Sequence, residues 1–195
     1  MNQTRCEQTK GAIADVRAIE ILDSRGRPTV QTTLRLASGA VGTVSVPSGA
    51  STGTAEAHEL RDGDAGRYGG LGCLQAVAHV NGPIRNLLVT RPVTSQADLD
   101  AVLNLADGTA TKSNMGANAI LSVSLAWARA QSVAKGIPLY QQFADEIGNG
   151  APTRLPRPTV NLFSGGKHAG GQMAIQDVLI TPIGTDDAAV AMEQL

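Results

Sequence analysis

Hydrophobic periodicity switches from two to 3.6 beyond Pro47, and that switch fixes the fold class of the larger part of this chain. Ahead of Pro47 the apolar residues alternate with polar ones. Ile13 to Asp23 carries Ile13, Val16, Ile19 and Ile21 among polar neighbours. Thr29 to Leu36 alternates through Val30, Thr32, Leu34 and Leu36, and Ala40 to Val46 through Val44 and Val46. A period of two means strand. The connections are the turn cluster Ser24-Arg25-Gly26-Arg27-Pro28 and the hairpin-type signal Ser38-Gly39, so an antiparallel meander is expected.

Beyond Pro47 the repeat becomes helical. Cys73 to Leu88 places Leu74, Val77, Val80, Ile84, Leu87 and Leu88 on one face. Thr94-Ser95 can cap a helix from Gln96 to Leu105, with Asp98 near its positive end. Gly116 and Gly136 bracket a long helix, Ala117 to Lys135, and a short one follows from Leu139 to Ile147. Aromatic residues are 3% of the chain, so the core is built from Ala, Val, Ile and Leu. The Ala-rich helix at 117–135 is apolar nearly all round and is expected at its centre, with Trp127 in the core. Strands first and helices after give an α+β domain over 13–147.

The stretch 148–158 contains Asn149-Gly150, Pro152, Pro156 and Pro158 and is expected as a linker. Thr159 to Phe163 and Ile175 to Thr181 then look like strands around a glycine-rich loop, with a helix beginning at Ala188. A complete eight-stranded α/β barrel needs ~250 residues, and the chain has 195. Residues 159–195 are therefore expected as the incomplete start of a second unit. Residues 1–12 are expected as a flexible tail.

Charge and apolarity exclude several functions. The 16 basic and 17 acidic residues leave a net charge of −1. No basic stripe interleaves with aromatics, which argues against nucleic-acid binding. The most apolar stretch, Ala117 to Ala128, is too short to span a bilayer. Cys6 and Cys73 fit no C-x-x-C pattern, and the polar start has no apolar leader segment, so a cytoplasmic chain with reduced thiols is expected.

Two loops carry candidate chemistry. Ser48-Gly49-Ala50-Ser51-Thr52-Gly53 is small and hydroxyl-rich. It suits either a plain strand-to-helix turn or a loop that closes on a ligand and offers oxygens to a hard cation. Ser164-Gly165-Gly166-Lys167-His168-Ala169-Gly170-Gly171 lacks the Walker A spacing. It suits either a glycine-rich hairpin or an anion site. Asp177 follows it and is either an exposed strand residue or an acid–base group. His58, among Glu56, Glu59, Asp62 and Asp64, is best explained as part of a charged helix face, and His79 as solvated.

Taken in order, the motifs resemble the enolase (phosphopyruvate hydratase) family. They are Ile21-Leu22-Asp23-Ser24-Arg25-Gly26-Arg27-Pro28-Thr29-Val30, the loop from Val46 to Gly53, and Glu59-Leu60-Arg61-Asp62-Gly63-Asp64. Arg67-Tyr68, Leu105-Ala106-Asp107-Gly108-Thr109, Lys112 to Leu121 and Pro138-Leu139-Tyr140 follow, and Asn161, Gly165-Gly166, His168-Ala169 and Gln176 close the series. The resemblance implies a meander-plus-helices N-terminal domain, followed by a metal-binding α/β barrel. It also implies Mg2+-dependent interconversion of 2-phosphoglycerate and phosphoenolpyruvate.

Residue by residue, the resemblance assigns Ser48, Gly49, Ala50, Ser51, Thr52 and Gly53 to a mobile lid. Ser51 is assigned as a ligand of the second Mg2+; Ala50, Ser51, His168 and Gln176 as substrate-binding; and His168 as the histidine near the substrate phosphate. Asp177 stands where enolases carry a glutamate that handles the leaving hydroxide, and Ser164 and Lys167 also depart from the commonest family residues. The family's three carboxylate metal ligands, catalytic lysine and second glutamate are expected beyond Leu195, so these 195 residues alone are expected to have little dehydratase activity. Two alternatives stand beside the lyase. One is an enolase-like paralogue acting on a related phospho- or phosphono-carboxylate, as in carboxyphosphonoenolpyruvate synthase. The other is a non-catalytic remnant or interaction module. A small phosphorylated carboxylate is the expected substrate, and a homodimer or pairing with an enolase-like chain the expected assembly.

Overall fold

The three alternating segments pair as their turns dictate. The computed structural model describes residues 11–49, 53–148, 150–166, 170–171 and 173–195. Strands β1 (Ile13–Leu22), β2 (Pro28–Leu36) and β3 (Val41–Ser45) form an antiparallel sheet in the order β1-β2-β3. Ala18 pairs with Thr32, which pairs in turn with Val44. Val30, Thr32, Leu34 and Leu36 are all buried, as their alternation requires. In β1 the outcome differs from strict alternation. The register shifts between Ile13 and Asp15, and such an irregularity moves every later side chain to the other face. Val16 and Ala18 are therefore buried, while Ile19 is 56% exposed.

The next helical run is interrupted. Helix α1 (Leu74–His79) passes through a π-helical turn, Val80–Ile84, into α2 (Arg85–Thr90). Pro83 lies inside that turn. Its missing N–H and ring bulk cannot be fitted into a regular α-helix, and a widened turn accommodates them. The turn aims Asn81 at edge strand β1. The Ala18 N–H donates to Asn81 Oδ1 at 2.8 Å, and Asn81 Nδ2 donates to the Ala18 carbonyl at 2.9 Å. One side chain thus pairs both outward backbone groups of an edge residue.

Helix α3 (Gln96–Asp107) starts as expected, with Ser95 Oγ accepting from the Asp98 N–H at 3.1 Å. It ends at Gly108 in the left-handed region. Helix α4 (Ala117–Lys135) lies on β2 and β3. It buries Ile120, Val123, Ala126, Trp127 and Ala130, which confirms its central place. Its contact with the sheet is close. A Cβ on Gly42 would lie 2.1 Å from the Ala126 carbonyl oxygen and 2.5 Å from the Ala130 nitrogen. The buried hydroxyls of Thr32 and Ser122 meet at 2.7 Å across this interface. Ser122 donates to the Ala119 carbonyl at 2.8 Å, so Thr32 donates to Ser122. Helix α5 (Leu139–Glu146) follows Pro138 and packs on α4. No described helix is long and apolar enough to cross a membrane.

The chain divides into two units, Met1–Gly150 and Ala151–Leu195. In the second, β4 (Val160–Ser164) and β5 (Asp177–Ile180) form an antiparallel pair, followed by α6 (Ala188–Glu193). Asp187 caps α6, accepting from the Ala189 N–H at 2.8 Å and the Val190 N–H at 3.3 Å. Leu162 and Leu179 are 57% and 58% exposed.

Two stability effects test this packing. Gly42→Ala is expected to cost about 2–3 kcal/mol, because backbone atoms of α4 must move away; thermal unfolding reads it. Asn81→Ala is expected to cost a similar ~2 kcal/mol by leaving two β1 groups unpaired, and Asn81→Asp at least as much, because a carboxylate oxygen would face the Ala18 carbonyl. Equal urea midpoints for wild type and Asn81→Ala would show that the amide pairing contributes nothing.

Candidate functional site

A cavity of about 930 Å3 opens in the first unit. Its walls are the described ends of the small-residue loop (Ser48, Gly49, Gly53), the segment from Glu56 to Arg61, the turn Thr111 to Ser113, and side chains of α3 and α4 that include Asn104 and Ser124. Val46, Ile120 and Leu121 line it with apolar surface. Ala50, Ser51 and Thr52 lie outside the described residues.

The root of the loop is held by charged side chains. Ser48 Oγ donates to Glu59 Oε2 at 3.1 Å and accepts from Arg61 Nη2 at 2.7 Å. The Ser48 carbonyl accepts from Arg25 Nη2 at 2.8 Å, and Arg25 is itself paired with Asp23 at 2.9 Å. Arg61 also binds Glu59 Oε1 and the carbonyls of Pro28 and Leu71, each at 2.7 Å. The guanidinium therefore ties the start of β2, the loop root and the approach to α1 into one node. Cys73 Sγ lies 3.1 Å from the same guanidinium. Burial nevertheless pushes the Cys73 thiol up to about 11, so it is not a nucleophile at neutral pH.

The segment containing His58 is not a charged helix face. Among the described residues, no helix forms between β3 and the short 3-10 turn at Tyr68–Gly70. The chain instead runs extended beside the turn after α3 and the start of α4. The His58 N–H donates to the Thr111 carbonyl at 2.6 Å, and the Ala117 N–H donates to the His58 carbonyl at 2.8 Å. Asn118, buried at the start of α4, grips both backbone groups of Leu60 at 3.2 and 3.0 Å. Asp62 accepts from the N–H groups of Leu74 and Gln75 at 2.9 and 2.8 Å, so it caps α1. Of the acidic residues that sequence placed on a helix, Asp62 and Asp64 are thus engaged by backbone N–H groups and Glu59 by Ser48 and Arg61. His79 is likewise half-buried, its Nδ1 bonded to the Met115 carbonyl at 2.9 Å.

Asp107 organises the cavity's far wall. Its carboxylate accepts from the N–H groups of Thr109, Asn114 and Met115 at 3.0, 3.1 and 2.7 Å, and from the Thr109 hydroxyl. Burial raises its pKa, but the Thr109 hydroxyl and these three N–H groups outweigh it and hold the carboxyl below its ordinary value of 3.8. The turn it closes places Lys112 in the left-handed region, at φ 58°, with its carbonyl accepting from the Gly116 N–H at 2.9 Å. Sequence gave no sign of this role: an Asp at a helix end followed by Gly-Thr looks like an ordinary stop. Glu20 is also held low, chiefly by Arg67, with the Cys73 N–H adding to this against burial.

In the second unit, the Gly165 N–H donates to the Gln176 carbonyl at 2.6 Å, and the Gly166 N–H to the Met173 carbonyl at 2.8 Å. A Cβ on Gly165 would lie 2.2 Å from the Ile175 carbonyl oxygen, so only glycine fits there. Asp177 Oδ1 accepts from Ser164 Oγ at 2.7 Å and from Asn161 Nδ2 at 3.0 Å. Two of the residues that set this chain apart from its resemblance, Ser164 and Asp177, are therefore bonded to each other. Lys167 and His168 lie outside the described residues. Among the described residues, no group of three or more His, Cys, Asp or Glu side chains could hold a metal ion.

The architecture is an α+β domain, a three-stranded meander backed by helices, followed by a glycine-rich strand pair. A family model for the enolase N-terminal domain matches residues 13–143, and one for the enolase C-terminal TIM barrel domain matches residues 152–194. The chain belongs to the enolase family.

The low pKa of Asp107 has a stability consequence. Its folded value lies below the unfolded one, so its contribution is complete at neutral pH and is lost as pH falls below about 4 through the folded value. Asp107→Asn is expected to be less stable than wild type at pH 7 and to show a flatter dependence of its urea midpoint between about pH 5 and pH 2. Parallel curves for the two proteins would overturn this assignment.

Proposed function

We propose that the chain serves an enolase-type lyase that interconverts 2-phosphoglycerate and phosphoenolpyruvate with Mg2+. The observation that carries this reading is the anchored root of the small-residue loop. Glu59, Arg61 and Arg25 fix Ser48 at the mouth of a cavity, inside the segment matched to the enolase N-terminal domain. A fixed root lets the residues beyond it close over a substrate and exclude water without disturbing the sheet.

The reaction removes a weakly acidic proton beside a carboxylate, so charge on the intermediate must be neutralised, and a divalent cation supplies that Lewis-acid stabilisation when bound. The described residues do not form a metal centre, so in this reading the carboxylate ligands come from outside them. Ser51 would add an oxygen ligand on closure, Ala50 and Gln176 would contact substrate, and His168 would face the phosphate. Asp177 would take the role of the family glutamate at the leaving hydroxide. Assembly as a homodimer, or with an enolase-like chain, belongs to the same proposal.

A second reading is an enolase-like reaction on a related phospho- or phosphono-carboxylate. The bond between Ser164 and Asp177 favours it, because the shorter carboxylate is held back on its hairpin.

Product formation from 2-phosphoglycerate with Mg2+ decides between them. The 195 residues alone are expected to give no substantial turnover. Adding a barrel-bearing chain that supplies the metal carboxylates is expected to give turnover that chelation abolishes. In that complex His168→Ala is expected to lower the rate about 100-fold, and Asp177→Glu to raise it. A lower rate for Asp177→Glu, with turnover of a phosphono-carboxylate, would favour the second reading.

A further inference from the structure

The strand pair of the second unit brings together three polar side chains that regular geometry would separate. Residues 161 and 164 are an odd number apart, so an unbroken strand would put them on opposite faces. The register of β4 against β5 shifts between Asn161 and Phe163, which returns Asn161 to the face of Ser164. Asn161 Nδ2 then lies 2.6 Å from Ser164 Oγ. Ser164 is the register partner of Asp177, and both Ser164 and Asn161 donate to Asp177 Oδ1, at 2.7 and 3.0 Å.

We infer that Ser164 and Asn161 are positioning residues for Asp177, and that Ser164 and Asp177 form a length-matched pair setting where this carboxylate meets the substrate's leaving group. The inference rests on the functional reading above for the reaction, though not for the cluster itself. Length is the physical reason. A glutamate at 177 would carry its carboxylate about 1.5 Å further along the side chain, one C–C bond. That displacement breaks a 2.7 Å hydroxyl contact. The Ser164 hydroxyl therefore positions an aspartate at 177, whereas a glutamate reaches further and needs no help from Ser164. Two donors on one oxygen also restrict the rotation of this short side chain.

The test has two parts, the first independent of turnover. In the 195-residue chain, the carboxyl carbon-13 resonance of Asp177 is followed by NMR, with thermal unfolding as the check on folding. Ser164→Ala is expected to move that resonance, and Ser164→Thr, which keeps the hydroxyl, to leave it near its wild-type position. A resonance unmoved by Ser164→Ala overturns the inference.

The second part uses the complex with a barrel-bearing chain. Ser164→Ala is expected to lower kcat between about 10- and 100-fold with KM within about twofold. In an Asp177→Glu background it is expected to have no effect, because the longer side chain no longer meets Ser164. Equal losses in both backgrounds overturn the length-matched pair. A resonance that moves in a complex that does not turn over 2-phosphoglycerate supports the positioning and overturns the reaction assigned above.

Discussion

The approach of α4 to β3 at Gly42 is the constraint on which the first unit depends. Nothing larger than hydrogen fits between that residue and the backbone of Ala126 and Ala130. The helix consequently lies low on the sheet, and Thr32 and Ser122 can bond across the interface. A low helix also fixes the height of its own N-terminus. There Asn118 grips Leu60 and the Ala117 N–H reaches the His58 carbonyl. The irregular segment from Glu56 to Asp62 is thus positioned by a contact made in the middle of the sheet.

From that segment the constraint passes to the cavity through charge. Arg61 has no apolar setting and no helix to join, yet it satisfies three backbone or side-chain oxygens from different parts of the chain within 2.7 Å. Asp107 does the same on the opposite wall with backbone donors. Each is one buried or half-buried ion that costs desolvation and recovers it through several charge-assisted bonds. A loop root held this way is tied to the scaffold from two directions, through Arg25 on its carbonyl and Arg61 on its hydroxyl.

The second unit follows a different logic. Its strands expose apolar side chains, and its polar contacts among the described residues include the strand pair, the pairing of Asp186 with Arg154 and Arg157, and the cap of α6. Membership of the enolase family explains that asymmetry, since strands of this kind face further strands of a barrel. The bonded group of Asn161, Ser164 and Asp177 sits where those strands turn into the glycine-rich loop. It gives a physical meaning to substitutions that, read singly, are unrelated departures from a pattern.

Periodicity and turn chemistry made the α+β class, the order of strands and helices, and the central place of the Ala-rich helix legible, because short-range patterning decides which face of an element is buried. The ordered motifs made the family legible. What sequence could not show were the partners of Arg61, Asp107, Asn81 and Asn118. Their hydrogen bonds join residues brought close by the fold rather than by any local repeat, and an acidic cluster such as Glu56 to Asp64 looks the same whether it faces water or caps backbone. The β1 and β4 irregularities belong to the same class. A one-residue slip leaves no mark on composition, yet it decides that Ile19 faces out and that Asn161 meets Ser164. The sequence alone determined which elements form and to which family they belong. The tertiary structure alone decided which polar groups meet, because that depends on distances set by packing between remote segments.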